Sequence, residues 1–181
     1  MIFEPTELRG VWVVEPELHH DERGFFGRLS VPEEISRFIP SWSDTYTALS
    51  YNQHTHTLRG MHWQAATAPE SKLVRCVRGA IFDVAVDVDH ASPTFGKWTA
   101  TTLTQENRLA LLISPLTAHG FLTLEPDTEV AYEISGGFAA TSAKGFLWSD
   151  PEVAIPWPSE PTVLGKRDGE YQALRNVTVD N

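Results

Sequence analysis

The chain has 181 residues, 41% of them hydrophobic and 21% charged, with a formal net charge of −10, which suits one compact domain over 1–181 with a sizeable core. An acidic surface repels phosphate polyanions at long range, so no nucleic-acid partner is expected, and no apolar run is long enough to cross a bilayer. The start, MIFEPTELRG, has neither a basic leader nor an apolar stretch, and Cys76 is the only cysteine. A reducing cytoplasm is the expected compartment, with Cys76 as a small buried hydrophobe in a strand.

In chain order, apolar runs separated by glycine and proline read as short strands. They cover Gly10–Val14, Asp44–Tyr51, Thr57–Gln64, Lys72–Val77, Ala80–Val88, Trp98–Leu103, Leu109–Ile113, His119–Leu124 and Glu129–Ser135. A helical turn or two is expected at Pro32–Phe38, with proline at the start and Glu33 and Glu34 in the first turn. IFDVAVDVD is a clear period-two segment. Phe82, Val84, Val86 and Val88 share a packed face, and Asp83, Ala85, Asp87 and Asp89 share a more polar one. The tail from Pro151 reads as irregular. Many short strands without exposed edges imply an all-β barrel or jelly roll with short peripheral helices.

The charge balance leaves room for an anionic small ligand if basic residues gather in its pocket. Arg23, Arg59, Lys72, Arg75, Arg78 and Arg167 are the candidates, with Arg75 and Arg78 more simply read as solvated strand-edge charges. HTHTLRGMHWQ holds His54, His56 and His62, and TAHGF holds His119. His62 and His119 fall where a metal-binding cupin has its first and last histidines. Gln64 and Lys72 stand where further ligands belong, and an ammonium beside a dication is repelled, so no metal is expected. Tyr132 shares a strand face with Val130 and Ile134 and points inward. A histidine, a tyrosine and a lysine inside one barrel suit proton transfer beside a carbonyl: one group takes a proton, another returns one, and a cation stabilises the enolate.

RGMHWQ, KLVRCVRGAIFDVAVDVDHASPTFGKW, TAHGF, VAYEIS and SDPEVAIPWP, with DERGFF near the start and GKRD near the end, resemble the dTDP-4-dehydrorhamnose 3,5-epimerase family in order and spacing. The resemblance runs from about Gly10 to Asp168 and implies a cupin jelly roll that dimerises and uses no cofactor or metal. It implies that His62 is the general base, Asp168 the acid that orients it, Tyr132 the general acid and Lys72 the enolate stabiliser. Arg23, Phe26, Ser50, Arg59 and Arg167 fall at the nucleotide and diphosphate contacts, and His119 and Phe138 at further substrate contacts. The substrate implied is a nucleotide-linked 4-keto-6-deoxyhexose, inverted at carbon 3, carbon 5 or both.

Some positions depart from the family pattern. Tyr46 and Ala48 precede Ser50 where a glutamine and an asparagine are typical, and Arg28 stands near the place of a glutamate. Phe138 stands near a second aromatic position that often carries a phenol, which predicts a bias toward one inversion, at carbon 3. Strict alternation also puts Arg59 and His62 on opposite faces of their strand. Either Gly60 marks a bulge that re-aims Arg59, or Arg59 serves a neighbouring subunit.

Overall fold

The computed structural model describes residues 1–178. Its strands are β1 (Ile2–Pro5), β2 (Val11–Glu15), β3 (Leu18–Asp21), β4 (Gly24–Gly27), β5 (Tyr46–Asn52), β6 (Thr57–Gln64) and β7 (Ser71–Arg78), followed by β8 (Ala80–Asp87), β9 (Trp98–Thr104), β10 (Ala110–Ile113), β11 (Thr117–Thr123), β12 (Thr128–Ser135), β13 (Ala143–Gly145) and β14 (Val163–Leu164). Two short helices accompany them, α1 (Pro32–Ile35) and α2 (Lys166–Glu170). None of the described helices is long and apolar enough to cross a membrane.

The strands form a cupin-type jelly roll of two facing sheets. One runs β1-β2-β10-β7-β12-β5, and the other β13-β6-β11-β8-β9 with β14 alongside β6. β3 and β4 form a separate hairpin. Between the sheets lies a core of Val11, Val74, Cys76, Ile81, Ala85, Leu103, Leu111, Phe121 and Val130. A second cluster covers the outer face of β6, β8 and β11, where Val84, Val86 and Val88 pack under Phe146, Val153 and Leu174. A third covers the outer face of β2 and β10, where Ile35, Ile39 and Trp42 lie over Val14 and Leu112. Where these clusters cover the outer faces of β6, β8 and β11 and of β2 and β10, the inward-pointing polar residues are left facing the barrel interior.

Four sequence expectations change. The polar side of IFDVAVDVD does not face water: Asp83 is fully buried and Asp87 nearly so. Arg75 is not a solvated edge charge. It is 6% exposed and donates to the carbonyls of Leu29 and Arg108 at 2.7 and 2.6 Å; Arg78 is exposed, as expected. The helix after Pro32 is shorter than expected, ending at Ile35. The tail beyond Pro151 is not wholly irregular, since it contributes β14 and α2.

Candidate active site

A cavity of about 540 Å³ opens between the two sheets. His62, Lys72, Tyr132, Asp168, Ser50, Arg59, His119, Phe138 and Arg167 all line it. Arg23 and Phe26 do not. They sit on the β3–β4 hairpin, Arg23 paired with Asp21 and Phe26 73% exposed. His54 and His56 also lie outside the lining.

His62 stands on β6, two residues before the buried Gln64. Its Nε2 is 2.7 Å from Asp168 Oδ1. A carboxylate oxygen only accepts, so Nε2 carries the proton and Nδ1 keeps the lone pair a base needs. Asp168 lies in α2 and is 7% exposed. Its other oxygen accepts the N–H of Gly60 at 3.3 Å, which ties the carboxylate to the strand that carries the histidine. The ring of Tyr171, just past α2, meets the His62 imidazole edge-on with centroids 5.9 Å apart. That ring fits because residue 145, opposite His62 on β13, is glycine: a Cβ there would come within 2.2 Å of it.

The Arg59 puzzle is resolved by a bulge. β11 pairs His119 with His62 but Phe121 with Arg59, so β6 carries one more residue than its partner between these pairs. Gly60 has a φ of 148°, and a Cβ on it would lie 2.6 Å from the Cα of Gly120. Only glycine tolerates both the conformation and the approach. The extra residue brings Arg59 and His62 to the same cavity, where Arg59 donates Nε–H to Asn52 Oδ1 at 2.8 Å.

Tyr132 comes from β12 on the facing sheet, 3.5 Å from Ser50 Oγ. Burial pushes its phenol well above the usual tyrosine range, the contact with Ser50 draws it back in part, and Asp83 and Arg59 act more weakly in opposite directions. The group therefore holds its proton at neutral pH and is available as an acid. Beneath it, His119 Nε2 meets Asp83 Oδ1 at 2.7 Å with both side chains buried. The His119 ring contacts the Tyr132 ring edge-on at 6.2 Å.

Lys72, near the start of β7, pairs with Glu70 at 2.9 Å. Arg59, Lys72, Lys144 and Arg167 outnumber Glu70 and Asp168 along the lining, so the cavity is locally cationic inside a protein of net charge −10. Among the described residues, no three His, Cys, Asp or Glu side chains group as a metal shell would require.

Several residues that line the cavity or hold its lining were not singled out from the sequence. Asn52 shares a strand face with Ser50, so period two along β5 was a usable signal. Tyr171 lies three residues after Asp168, one helical turn on. Asp83 was visible only as part of a polar stripe.

A family model described as dTDP-4-dehydrorhamnose 3,5-epimerase matches residues 5–176. A curated protein of that name from Sinorhizobium fredii is 35% identical over 180 residues, covering 99% of this chain and 92% of the relative. The solved structure of the Mycobacterium tuberculosis rmlC epimerase superposes with a TM-score of 0.92 at 30% identity, covering 98% of this chain and 90% of that one. That of ChmJ, a 3'-monoepimerase from Streptomyces bikiniensis in complex with dTDP-quinovose, gives 0.87 at 29% identity, with 95% and 87% covered.

Proposed function

This chain belongs to the dTDP-4-dehydrorhamnose 3,5-epimerase family, and on that footing we propose that it is an isomerase of a nucleotide-linked 4-keto-6-deoxyhexose in deoxysugar biosynthesis. The observation that carries the reading is His62 on one sheet, paired with Asp168 of α2, and the protonated Tyr132 on the other sheet, lining one cavity with Lys72.

A hydrogen on the carbon beside the keto group is acidic because its loss gives an enolate. His62 Nδ1 takes that proton, and the imidazolium formed is supported by Asp168. The C–H electron pair moves into the new C=C bond and the carbonyl pair onto oxygen, where the Lys72 ammonium meets the charge. Tyr132 then gives its proton to the same carbon from the opposite face, the carbonyl re-forms and the configuration is inverted. The phenolate recovers its proton through solvent or the imidazolium. Two proton transfers balance the reaction, so it needs no redox partner and no cofactor.

The cationic lining suits a diphosphate, with Arg59 and Arg167 as its contacts and Phe138 at the rim as a stacking surface for the nucleoside. Phe138 offers no phenol, and we read the enzyme as biased toward one inversion, at carbon 3. A homodimer is part of the reading. The β3–β4 hairpin carries Arg23 and the exposed Phe25 and Phe26 outside this chain's own cavity, so those residues reach substrate only in the site of a second copy. The compartment is the cytoplasm, where nucleotide sugars are made.

Incubation with dTDP-4-keto-6-deoxyglucose in deuterated water, followed by proton NMR, tests the reading. Deuterium at carbon 3 with inversion is expected. No exchange at either carbon refutes it.

A further inference from the structure

We propose that Glu70 is a positioning residue for this reaction, holding the Lys72 ammonium where it meets the developing enolate oxygen. The inference rests on the epimerase reading and on the role of Lys72 within it. Glu70 immediately precedes β7 and Lys72 is that strand's second residue. Their i, i+2 spacing puts both on one face, and both line the cavity. The Lys72 Nζ lies 2.9 Å from Glu70 Oε1, with the two side chains 14% and 7% exposed.

Stability does not account for this carboxylate. An ion pair so little exposed roughly breaks even against its desolvation cost, and a negative charge in the wall opposes the approach of a diphosphate. What the pair does accomplish is to fix a mobile group. Lysine is a point charge on a flexible four-carbon stem, and enolate stabilisation depends on where that charge stands. Three other side chains of the cavity are each held by an acceptor of their own: His62 by Asp168, His119 by Asp83 and Arg59 by Asn52. Glu70 fills that place for Lys72. Tyr46 lines the same cavity, and its phenol is pushed up first by burial and then by the Glu70 charge.

The test compares wild type with E70Q, E70D, K72M and the double variant E70Q/K72M, all on dTDP-4-keto-6-deoxyglucose. It reads kcat and KM together with deuterium wash-in, and thermal melts confirm that each variant is folded. K72M is expected to lose roughly a hundredfold in kcat, the scale of one oxyanion donor. E70Q keeps the shape but not the charge, and is expected to lose about tenfold in kcat with KM changed less than about twofold. E70D restores a carboxylate within reach of the flexible lysine and recovers much of that loss. In the double variant the E70Q loss disappears into that of K72M, because Glu70 acts only through the lysine. Wild-type kcat in E70Q, a change confined to KM, no recovery in E70D, or losses that multiply in the double variant would each overturn the role of Glu70 while leaving that of Lys72 standing. Wild-type kcat in K72M instead removes Lys72 from the mechanism, and the proposal for Glu70 falls with it.

Discussion

Replacing Asp168 by asparagine is the sharpest test of how the base is prepared. The substitution is nearly isosteric, and the amide oxygen can still accept the Gly60 N–H, so the bulge that brings Arg59 and His62 together should survive. Two things change at His62. The carboxylate that supported the imidazolium at 2.7 Å is gone, and the amide can present an N–H to Nε2. A donor there moves the ring proton to Nδ1, the atom that must accept the substrate proton. A charge-assisted hydrogen bond contributes about 1.5–3 kcal/mol. The His62 side chain is 40% exposed, so solvent supplies part of that support and the lower half of the range applies. At about 1.4 kcal/mol per tenfold, the lost charge costs roughly tenfold to fortyfold in kcat, and the tautomer change adds to it. Complete removal of the base in His62→Ala should cost more, roughly a hundred- to ten-thousandfold. The assay is deuterium wash-in under saturating substrate, beside circular dichroism to confirm the fold. Wild-type wash-in by a folded Asp168→Asn protein would refute the dyad.

Further outcomes follow from single residues. Phe138→Tyr supplies a phenol at the cavity rim and should raise exchange at carbon 5 relative to carbon 3 in time-resolved NMR; fast exchange at both carbons in the wild type would show that Phe138 sets no limit. Arg75→Met leaves the carbonyls of Leu29 and Arg108 without their buried donor and should destabilise the protein by about 2–4 kcal/mol. An unchanged urea midpoint would contradict that. Cys76 is buried and its thiol is pushed up to about 12, chiefly by burial. The folded protein should resist thiol reagents at pH 8 and react fully in urea, and rapid labelling of the native protein would show the strand to be open.

What the sequence made legible depended on where each constraint lives. The central strands were readable because their side chains alternate within a few residues: β7, β8 and β12 fall within a residue or two of where the pattern put them. The short edge pieces β1, β3, β4, β13 and β14 escaped because pairing with a neighbour holds them in place, and their own composition does not announce it. β13 is three residues long and exists through its partners on β6. The proposed catalytic set was named from motif order, yet its assembly could not be read there, since His62 and Asp168 meet across 106 residues.

The inward turn of the polar stripe in β8 has a cause that bears on function. Period two divides a strand into an apolar side and a polar side, but it does not say whether the polar side meets bulk water or an enclosed cavity. In β8 the outer face is the apolar one, sealed by Phe146 and, from the tail, by Val153 and Leu174. The polar stripe therefore turns inward, and Asp83 becomes the partner of His119 beneath Tyr132. The tail that read as irregular thus decides which way the stripe faces. The same inward turn applies to β6, where the glycine pair at 60 and 120 breaks the alternation that would have sent Arg59 to the outside. A polar stripe with no wet side has only substrate or its own partners to satisfy it, and the His–Asp, Arg–Asn and Lys–Glu pairs along this cavity are how the fold keeps such groups bound until a ligand arrives.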